Sequence, residues 1–421
     1  MSSTYGQPNK KLIFHVDVNN AFLSWTAVKL LSEDPQAEDP RQIPSVVGGD
    51  ESRRHGVVLA KSTPAKAYGI VTGESLMEAR RKCPFIRIYP PDRAFYRRSS
   101  DCFYDILRRY TDIVERASID ECFADMSAYP SADPLELALE IRKTVSTELG
   151  FTVNVGISDS KVLAKIASDF SKPDKTHTLF RSEIRDKLWP LPVSSLLFAG
   201  PSTVRKLNGL GIRTVGDLAS SDRDFIKRTL GAQGAMLLRH ALGEDDSEVR
   251  SQREPNKGYS ASVTLERDIT DIREAEPVLL RLCEELSERL RKDEVYARTV
   301  TVTIRYADFV TVNHQAGSEN ATDLTRDIYR AARKLFSEKW NGRPVRLIGV
   351  GLSNLCREKY SQYSLFEDTD SYDKNKRAEE TADLIKKRFG EAMLVRGSLL
   401  EKRKMDRSRD DQDKSDQTVD L

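Results

Sequence analysis

Three acidic side chains lie in surroundings that would suit a metal-binding centre. Asp17 comes at the end of the apolar run LIFHVDV (12–18), where a charge costs several kcal/mol unless solvent or a cation compensates it. Asp120 and Glu121 are adjacent in SIDECFAD, and neighbours on a regular strand point to opposite faces, so this pair is best used near a bend. Carboxylates that converge on one sheet repel one another unless divalent ions lie between them. Such oxygen ligands can hold two magnesium ions that brace the attacking and leaving oxygens of a displacement reaction.

The same three residues also fit a purely structural role. Each acid could cap a turn or pair with a nearby arginine such as Arg116. For an isolated Asp-Glu dipeptide this second interpretation is favoured, because structural ion pairs are commoner than active sites. The surrounding elements are therefore needed to distinguish the metal-binding interpretation from the structural one.

Those elements form two copies of one pattern, β-α-β-β-α-β, which is the order of a ferredoxin-like split fold. Apolar periodicity predicts the first copy as strand 12–18, helix 94–110, strands 113–117 and 119–126, helix 134–149 and strand 151–157. It predicts the second copy as strand 259–266, helix 275–293, strands 298–306 and 309–314, helix 322–338 and strand 346–353. The insertion at roughly 21–90 is too long for a loop and predicts a small subdomain. The stretch 173–247 has the pattern of short helices joined by glycine and proline turns.

Composition sets outer limits on the function. A chain of 421 residues with 39% hydrophobic residues can bury cores in three or four domains, and its net charge of +2 is no argument for nucleic acid. The five cysteines are widely spaced, which favours a reduced, intracellular setting. No signal peptide or membrane-spanning run is present in the sequence, so we expect a soluble, cytoplasmic protein. The mixed charge of 401–421 predicts a disordered end, with a short amphipathic helix at 376–389 before it.

Four ordered blocks resemble the motifs of Y-family DNA polymerases, closest to the bacterial polymerase IV branch. They are DVNNAF (17–22), LAKSTPAKAYGI (59–70), SIDECFAD (118–125) and NVGISDSKVLAKIASD (154–169). The resemblance covers about 1–366 and implies an α+β, right-hand polymerase. Its expected parts are a ferredoxin-like palm (1–20 and 88–172), small fingers (21–87), a helical thumb (173–247), a β-α-β-β-α-β little finger (257–358) and a flexible tail (359–421).

The resemblance also implies roles for individual residues. The catalytic, metal-binding carboxylates would be Asp17, Asp120 and Glu121, with the Val18 carbonyl as a further ligand to two Mg²⁺ ions. Lys165 would meet the incoming triphosphate, as would the backbone amides of Asn20 and Ala21. Phe22 matches the steric gate, an aromatic ring that excludes a ribose 2′-hydroxyl. Thr63 and Lys66 stand where many relatives have tyrosine and arginine, and lysine lacks the bidentate fork of arginine.

Further segments resemble parts that would hold DNA. The segment 198–212 resembles the helix-hairpin-helix of the polymerase thumb, with Gly200-Pro201-Ser202 in place of the usual turn. In the second split domain, the hydroxyl-rich faces of 259–266 and 298–306 would form an open sheet surface suited to phosphate. The stripe Leu279, Leu282, Leu286 and Leu290 should cover the other face. Gln362, Leu365 and Phe366, in QYSLF (362–366), resemble the short bacterial motif that docks into the replication sliding clamp.

The function implied is template-directed, low-fidelity DNA synthesis across damaged template. The expected partners are primer-template DNA, dNTP and the bacterial sliding clamp, for a monomeric, nucleoid-associated enzyme without a proofreading exonuclease. One alternative is a catalytically weak, clamp-tethered DNA-binding accessory protein, which the altered fingers and thumb residues favour slightly. Another is a cyclase-like nucleotidyl transferase on a similar palm, which leaves the thumb and the second sheet domain unexplained.

Overall fold

The protein is described by a computed structural model that covers residues 11–50, 56–129, 133–252, 254–357, 369–390 and 393–397. The chain divides into two compact units, the first ending at Glu254 and the second beginning at Pro255. This division falls between the predicted thumb, which ends at 247, and the predicted little finger, which begins at 257. Within the described ranges, no helix combines the length and the apolar character needed to cross a membrane.

Unit 1 contains eight strands and nine α-helices in its described residues. In chain order they are β1 (Ile13–Val18), α1 (Ala21–Glu33), β2 (Ser45–Gly48), β3 (Val58–Lys61), α2 (Thr63–Ala67), α3 (Leu76–Lys82), β4 (Arg87–Tyr89), α4 (Arg93–Leu107), β5 (Val114–Arg116), β6 (Glu121–Asp125), α5 (Pro134–Leu149), β7 (Val153–Ser158), α6 (Lys161–Ser168), β8 (Thr176–Thr178), α7 (Pro201–Gly209), α8 (Val215–Ala219) and α9 (Arg223–Ala241).

The central sheet of unit 1 has the strand order β5-β6-β1-β7-β8. Strand β1 is antiparallel to both of its neighbours, β6 and β7. One face of β1 carries Phe14, Val16 and Val18, which are fully buried in a core shared with α4 and α5. The first β-α-β-β-α-β copy therefore folds as a ferredoxin-like sheet, as the sequence predicted.

Helix α6 covers the opposite face of the same sheet, and a glycine on β7 allows its close approach. A Cβ atom placed on Gly156 would lie 2.0 Å from the carbonyl oxygen of Ala164 and 2.4 Å from the amide nitrogen of Ser168. No side chain can be accommodated at that separation. The absence of a side chain at Gly156 thus brings the backbone of α6 against the strands.

The insertion after β1 forms a small layered subdomain. Strands β2, β3 and β4 make a three-stranded sheet in the order β3-β2-β4. Residues from this sheet and from α2 and α3, among them Val46, Ala65 and Leu76, form a separate buried cluster. An independent core explains why 70 residues can be inserted between a strand and the next helix of the palm-like motif.

The segment after β8 is helical. Helices α7, α8 and α9 bury Leu207, Leu218 and Leu237 in a core that also contains Leu163 and Ile166 of α6. Gly200 is the N-cap of α7 and Pro201 occupies its first position. Proline is well tolerated there, because the first amide of a helix has no partner within the helix. The absence of an N–H group on Pro201 therefore leaves no hydrogen bond within α7 unmade.

Unit 2 is built around a second sheet. Its elements are β9 (Gly258–Ile269), α10 (Ile272–Lys292), β10 (Tyr296–Tyr306), β11 (Thr311–Thr322), α11 (Thr325–Lys339), β12 (Val345–Cys356) and α12 (Thr369–Phe389). The order of elements is the predicted one, but the strand order, β11-β10-β12-β9, differs from that of unit 1. In unit 1 the first strand of the motif lies between the third and the fourth, whereas in unit 2 it lies at the edge. In β12, Ile348, Val350 and Leu352 are buried in the core, whereas Gly349 and Gly351 alternate with them and lie on the other face.

The two faces of the second sheet differ as the sequence predicted. The leucine stripe of α10 is buried, together with Val300, Val302 and Ile304 of β10. On the other face, Ser260 and Ser262 are exposed, and Thr301 and Thr303 are half-buried. The described elements therefore leave one face of this sheet open to solvent.

Residues 369–389, which lie within the segment 359–421 expected to be a flexible tail, form an ordered helix, and most of the remaining tail lies outside the described residues. Helix α12 begins at Thr369, seven residues before the predicted helix, and it packs on unit 2 through charged side chains. Arg291 of α10 is 8% exposed, with its guanidinium 2.7 Å from Glu379 and 2.6 Å from Asp383. Glu379 also accepts a hydrogen bond from the amide of Thr325 at the start of α11 (3.0 Å). The predicted amphipathic helix at 376–389 is therefore present and longer than expected, but its pattern did not show which of its charges find buried partners.

Replacing Gly156 by alanine should destabilise unit 1 by about 1–3 kcal/mol, because the added methyl group forces α6 away from β7. Urea denaturation would measure the change. Gly209→Ala is the matched control, since no atom lies within 4 Å of a Cβ at that position. Alanine also forms helices better than glycine does, so Gly209→Ala should leave the free energy of unfolding unchanged or raise it slightly. Equal unfolding midpoints for the two variants would contradict the close approach of α6.

Candidate active site

Asp17 and Glu121 face each other across two neighbouring strands. The antiparallel register of β1 and β6 pairs Asp17 with Glu121, and directly opposed residues share a face of the sheet. Asp17 is 6% exposed and Glu121 is half-buried. Two carboxylates so close together repel each other, so the arrangement requires positive charge.

Two lysines supply that charge. The Lys165 ammonium of α6 lies 3.3 Å from Asp17 Oδ2 and also contacts Glu121 Oε1. The Lys172 ammonium, from the loop after α6, lies 2.9 Å from the same Asp17 oxygen. Both lysines also contact Asp169, at 3.5 and 2.8 Å. The result is a compact cluster of alternating charges on the α6 side of the sheet.

The two carboxyl groups of this cluster differ in their acidity. Burial raises the pKa of Asp17 to about 6, although the charges of Lys172 and Lys165 oppose the rise. Burial also acts on Glu121, but the hydrogen bond and charge of Lys165 oppose it, and the pKa of Glu121 lies well below its usual range. Burial would lower the pKa of Lys165, yet the hydrogen bond to Glu121 and the charge of Asp17 raise it. Lys165 therefore stays charged beside the acids.

His15 lies beside the acid pair and is hydrogen-bonded to helix α6. Its ring is fully buried, and Nδ1 lies 2.8 Å from Ser168 Oγ. The single hydroxyl proton of Ser168 is donated to the carbonyl of Lys165 (2.7 Å), so His15 Nδ1–H is the donor to Ser168 Oγ. Burial lowers the pKa of His15, which keeps the ring neutral. Its Nε2 atom is 3.7 Å from Glu121 Oε2.

Asn154 fixes the loop that carries Lys172. Its side chain is fully buried, and its amide donates to the carbonyl oxygens of Ser168 (3.0 Å) and Ser171 (2.6 Å). Its oxygen accepts from the amide of Lys175 (3.1 Å). The sequence-based prediction included Lys165 but missed Lys172 and Asn154. Lys172 lies seven residues after Lys165, and no helical spacing within α6 indicates that the chain turns back to Asp17.

Asp120 lies beside this pair but does not join it. It precedes β6 in a turn, and its backbone oxygen accepts from the amide of Val18 (2.9 Å), so the expected bend is present. Its carboxylate accepts from Ser118 Oγ at 2.6 Å. Across the described residues, no three Asp, Glu, His or Cys side chains are grouped closely enough to hold a metal ion. The structure thus brings together two of the three predicted acids.

The alternative in which Arg116 neutralises the acids finds no support in the contacts of Arg116. Its guanidinium pairs with Asp101 (2.7 Å) and lies over the ring of Tyr104 (4.1 Å). The cations at the acid pair are lysines that the fold brings from α6 and its following loop. An arginine nearby in sequence is therefore not the compensating charge.

The remaining predicted residues lie on α1 and α2. Phe22 is half-buried and stacks on Tyr96, with ring centroids 5.1 Å apart and planes at 22°. Thr63 and Lys66 are both exposed on α2, three residues apart and hence on one side of that helix. Asn20 has a left-handed backbone conformation and donates to the carbonyl of Lys61 (2.8 Å). This hydrogen bond ties the start of α1 to the strand that leads into α2.

Comparison with known proteins now adds to this geometry. The impB/mucB/samB family model matches residues 16–169, and the model of the family's C-terminal domain matches 256–365. DNA polymerase IV of Clostridium acetobutylicum is 47% identical over 394 residues, which cover 93% of this chain and 99% of that protein. DNA polymerase IV 1 of Bacillus subtilis is 36% identical over 396 residues, covering 93% and 94%. The chain belongs to the Y family of DNA polymerases.

A solved structure agrees with this assignment at the level of the fold. A Y-family DNA polymerase chimera, Dbh-Dpo4(243-245)-Dbh, matches with a TM-score of 0.73 and 24% identity, covering 82% of this chain and all of that one. The predicted family, the α+β polymerase fold and the classification as a DNA-directed DNA polymerase are confirmed. The roles of individual residues remain predictions.

Unit 2 carries a second surface of interest, its open sheet face. Gly349 of β12 pairs with Ser262 on one side and Thr303 on the other. A Cβ atom on Gly349 would come within 3.1 Å of the Ser262 Cβ and 3.2 Å of the Thr303 Cβ. Hydroxyl groups therefore flank a strip of bare backbone, which forms a shallow polar trough.

Two other predicted features have different outcomes. Gln362, Leu365 and Phe366 lie outside the described residues, so the clamp motif stays a prediction from sequence.

In the thumb segment, Gly200-Pro201-Ser202 forms the start of α7, and the residues just before it form the turn. That turn includes Phe198, whose backbone has a left-handed conformation with φ of 68°. A left-handed backbone at an aromatic residue was not predicted, since such turns favour glycine.

Replacing Lys165 by methionine should lower the free energy of unfolding by about 2–4 kcal/mol, because it leaves two neighbouring carboxylates without their shared cation. Urea denaturation near pH 8 without divalent ions would measure this loss. Lys172→Met is the comparison, and it should cost less because the Lys172 side chain is 36% exposed against 13% for Lys165. A larger cost for Lys172→Met would mean that Lys165 is not the main compensating charge.

Proposed function

We propose that this Y-family polymerase synthesises DNA across damaged template with low fidelity, by nucleotidyl transfer from a dNTP to a primer 3′-hydroxyl. The observation that carries the proposal is the Asp17–Glu121 pair with an ammonium between the two carboxylates. Family membership and the names of the relatives support the class of reaction. The steps below assign the chemistry to residues of this chain.

The acid pair fits a site for divalent cations. Its carboxylates already hold positive charge between them, and hard oxygen donors of this type favour Mg²⁺. Asp17 and Glu121 would be ligands, with the Val18 carbonyl beside them and Asp120 turning in from its contact with Ser118. Magnesium bound there would supply electrostatic stabilisation of the attacking and leaving oxygens. We propose two ions, as the family resemblance implies.

The lysines would bind the triphosphate. Lys165 and Lys172 both point at the acid pair, and an ammonium is a suitable point charge for phosphate oxygens. When metal ions take over the neutralisation of Asp17 and Glu121, both ammonium groups can turn to a phosphate. Thr63 and Lys66, on one side of α2, would meet the outer phosphates. The backbone amides of Asn20 and Ala21 would meet the remaining oxygens.

Phe22 would select deoxynucleotides. Its ring cannot easily turn away, because it stacks on Tyr96, which itself hydrogen-bonds Thr26 (2.6 Å) one turn further along α1. A ring fixed in this way at the start of α1, directly after the acid strand, presents a rigid apolar edge. A 2′-hydroxyl placed against that edge would lose its hydrogen bonds to water without replacement.

The polar trough of unit 2 would hold the DNA duplex through its phosphates. Small hydroxyls such as those of Ser262 and Thr303 bind phosphate without reading bases, which suits a polymerase that must accept altered templates. The motif at 362–366 would tether the enzyme to the sliding clamp. Deleting 362–366 would test that tether. We expect the deletion to lower clamp-stimulated synthesis and to leave clamp-free synthesis intact. The accessory-protein alternative is disfavoured by 47% identity to a DNA polymerase IV across 93% of the chain.

A primer-extension assay with Mg²⁺ tests the acidic centre. Wild type should extend a primer distributively, and Asp120→Ala should show no extension, because the third carboxylate is needed to complete the metal site. Asp112→Ala is the matched control, since the Asp112 side chain is 95% exposed, and it should behave as wild type. Equal extension by the wild type and Asp120→Ala would refute the role of Asp120.

Substituting Phe22 by alanine should admit ribonucleotides, because it removes the ring that excludes the 2′-hydroxyl. Single-nucleotide incorporation would give kcat/KM for a dNTP and for the matching rNTP. We expect the dNTP value divided by the rNTP value to fall at least tenfold in Phe22→Ala, a loss of about 1.4 kcal/mol of discrimination. Phe85→Ala, which removes a 61% exposed ring, should leave it unchanged. An unchanged ratio in Phe22→Ala would remove Phe22 from this role.

A further inference from the structure

The ring of Phe22 lies against two aromatic rings from the interior of unit 1. Its centroid is 5.1 Å from that of Tyr96, with the planes at 22°, and 6.0 Å from that of Trp25, with the planes at 59°. Trp25 is fully buried and Tyr96 is 2% exposed, whereas Phe22 itself is half-buried. The position of the accessible part of Phe22 therefore depends on the two rings behind it.

Two successive hydrogen bonds hold the Tyr96 ring. Thr26, one turn after Phe22 on α1, donates its hydroxyl proton to the carbonyl oxygen of Phe22 (2.7 Å). Because that proton is already used, Tyr96 is the donor in the 2.6 Å contact between its hydroxyl and Thr26 Oγ1. Tyr96 belongs to α4. These bonds therefore join α4 to the backbone of the residue on whose ring Tyr96 stacks.

The Tyr96 hydroxyl needs the acceptor that Thr26 supplies. A buried tyrosine hydroxyl usually has a hydrogen-bond partner, and leaving one without an acceptor costs free energy. Without the Thr26 hydroxyl, the Tyr96 ring would have to shift to reach water or another acceptor, and Phe22 would follow the ring on which it stacks. Helix formation does not explain Thr26, since a threonine that bonds to the carbonyl four residues earlier slightly destabilises a helix.

We propose that Thr26 is a positioning residue that determines sugar specificity, because it holds Tyr96, and through it the Phe22 ring, where a ribose 2′-hydroxyl would clash. This inference rests on the proposed function, since it takes Phe22 as the residue that selects deoxynucleotides. Thr26 acts here through another side chain and does not touch the nucleotide. The effect of its hydroxyl should therefore depend on the hydroxyl of Tyr96.

Single-nucleotide incorporation tests this dependence through the sugar ratio, defined as kcat/KM for a dNTP divided by kcat/KM for the matching rNTP. Thr26→Val replaces the hydroxyl by a methyl group of similar size, and the sugar ratio should fall about fivefold or more through a rise in the rNTP value. Thr26→Ser keeps the hydroxyl, so its ratio should stay within twofold of wild type. Tyr96→Phe keeps the stacked ring and removes the group that needs an acceptor, so its ratio should also stay within twofold.

The double variant Thr26→Val/Tyr96→Phe gives the sharpest comparison. Removal of both partners leaves no hydroxyl unpaired, which costs much less than removal of the acceptor alone. The double variant should therefore recover a sugar ratio within twofold of wild type. Two substitutions that damaged the core independently would instead add their effects.

Thr144→Val is the matched control. Thr144 is also half-buried, and its hydroxyl lies 3.1 Å from that of Tyr110 in another tyrosine–threonine pair of unit 1. That pair joins α5 to the segment after α4 and does not include α1. The sugar ratio of Thr144→Val should stay within twofold of wild type, even where its melting temperature falls as much as that of Thr26→Val.

The inference is overturned if Thr26→Val keeps a sugar ratio within twofold of wild type, if the double variant is no better than Thr26→Val, or if Thr144→Val lowers the ratio as much. Thr26→Ala, which also lacks the hydroxyl, replaces Thr26→Val in this comparison should that variant not fold. A lowered ratio in Phe22→Ala with an unchanged one in Thr26→Val removes Thr26 alone. An unchanged ratio in Phe22→Ala overturns both roles, and a wild type that incorporates no dNTP refutes the proposed function.

Discussion

The close pairing of Asp17 and Glu121 is the constraint on which the rest of unit 1 depends. Two carboxylates on neighbouring strands, one of them almost fully buried, repel each other unless cations lie within a few ångströms. The fold meets this need by bringing α6 against β7 over Gly156, where no side chain intervenes. Lys165 then reaches both acids. Asn154 turns the following loop back so that Lys172 reaches Asp17 as well.

This arrangement also explains why a stable fold can contain a reactive site. The lysines that neutralise the acids within the chain are the groups suited to bind a triphosphate, so the same charges stabilise the protein and would bind substrate. His15 lies beside this cluster without adding charge, because its neutral ring donates from Nδ1 to Ser168, which in turn donates to the carbonyl of Lys165. The compensating charges are therefore in place before substrate arrives, whereas Asp120 would have to leave Ser118 and the two ammonium groups would have to turn to the phosphates.

Sequence patterns predicted local elements well and the placement of distant ones poorly. The strand ending at Asp17, both β-α-β-β-α-β orders and the leucine stripe of α10 follow from periodicity, which depends on near neighbours. The edge position of β9, the approach of Lys172 and the docking of α12 depend on which segments meet in space. For α12, the amphipathic pattern predicted a helix at 376–389 but not its contacts, in which Arg291 is buried between Glu379 and Asp383.

The polar trough of unit 2, in the role proposed for it, would hold DNA without reading its sequence. It presents small hydroxyls on either side of Gly349, which suit phosphates. This part of the surface does not offer the long, directional side chains that distinguish bases in a groove. A polymerase that must accept damaged template gains from this choice, because lesions alter bases and leave the sugar–phosphate backbone largely intact.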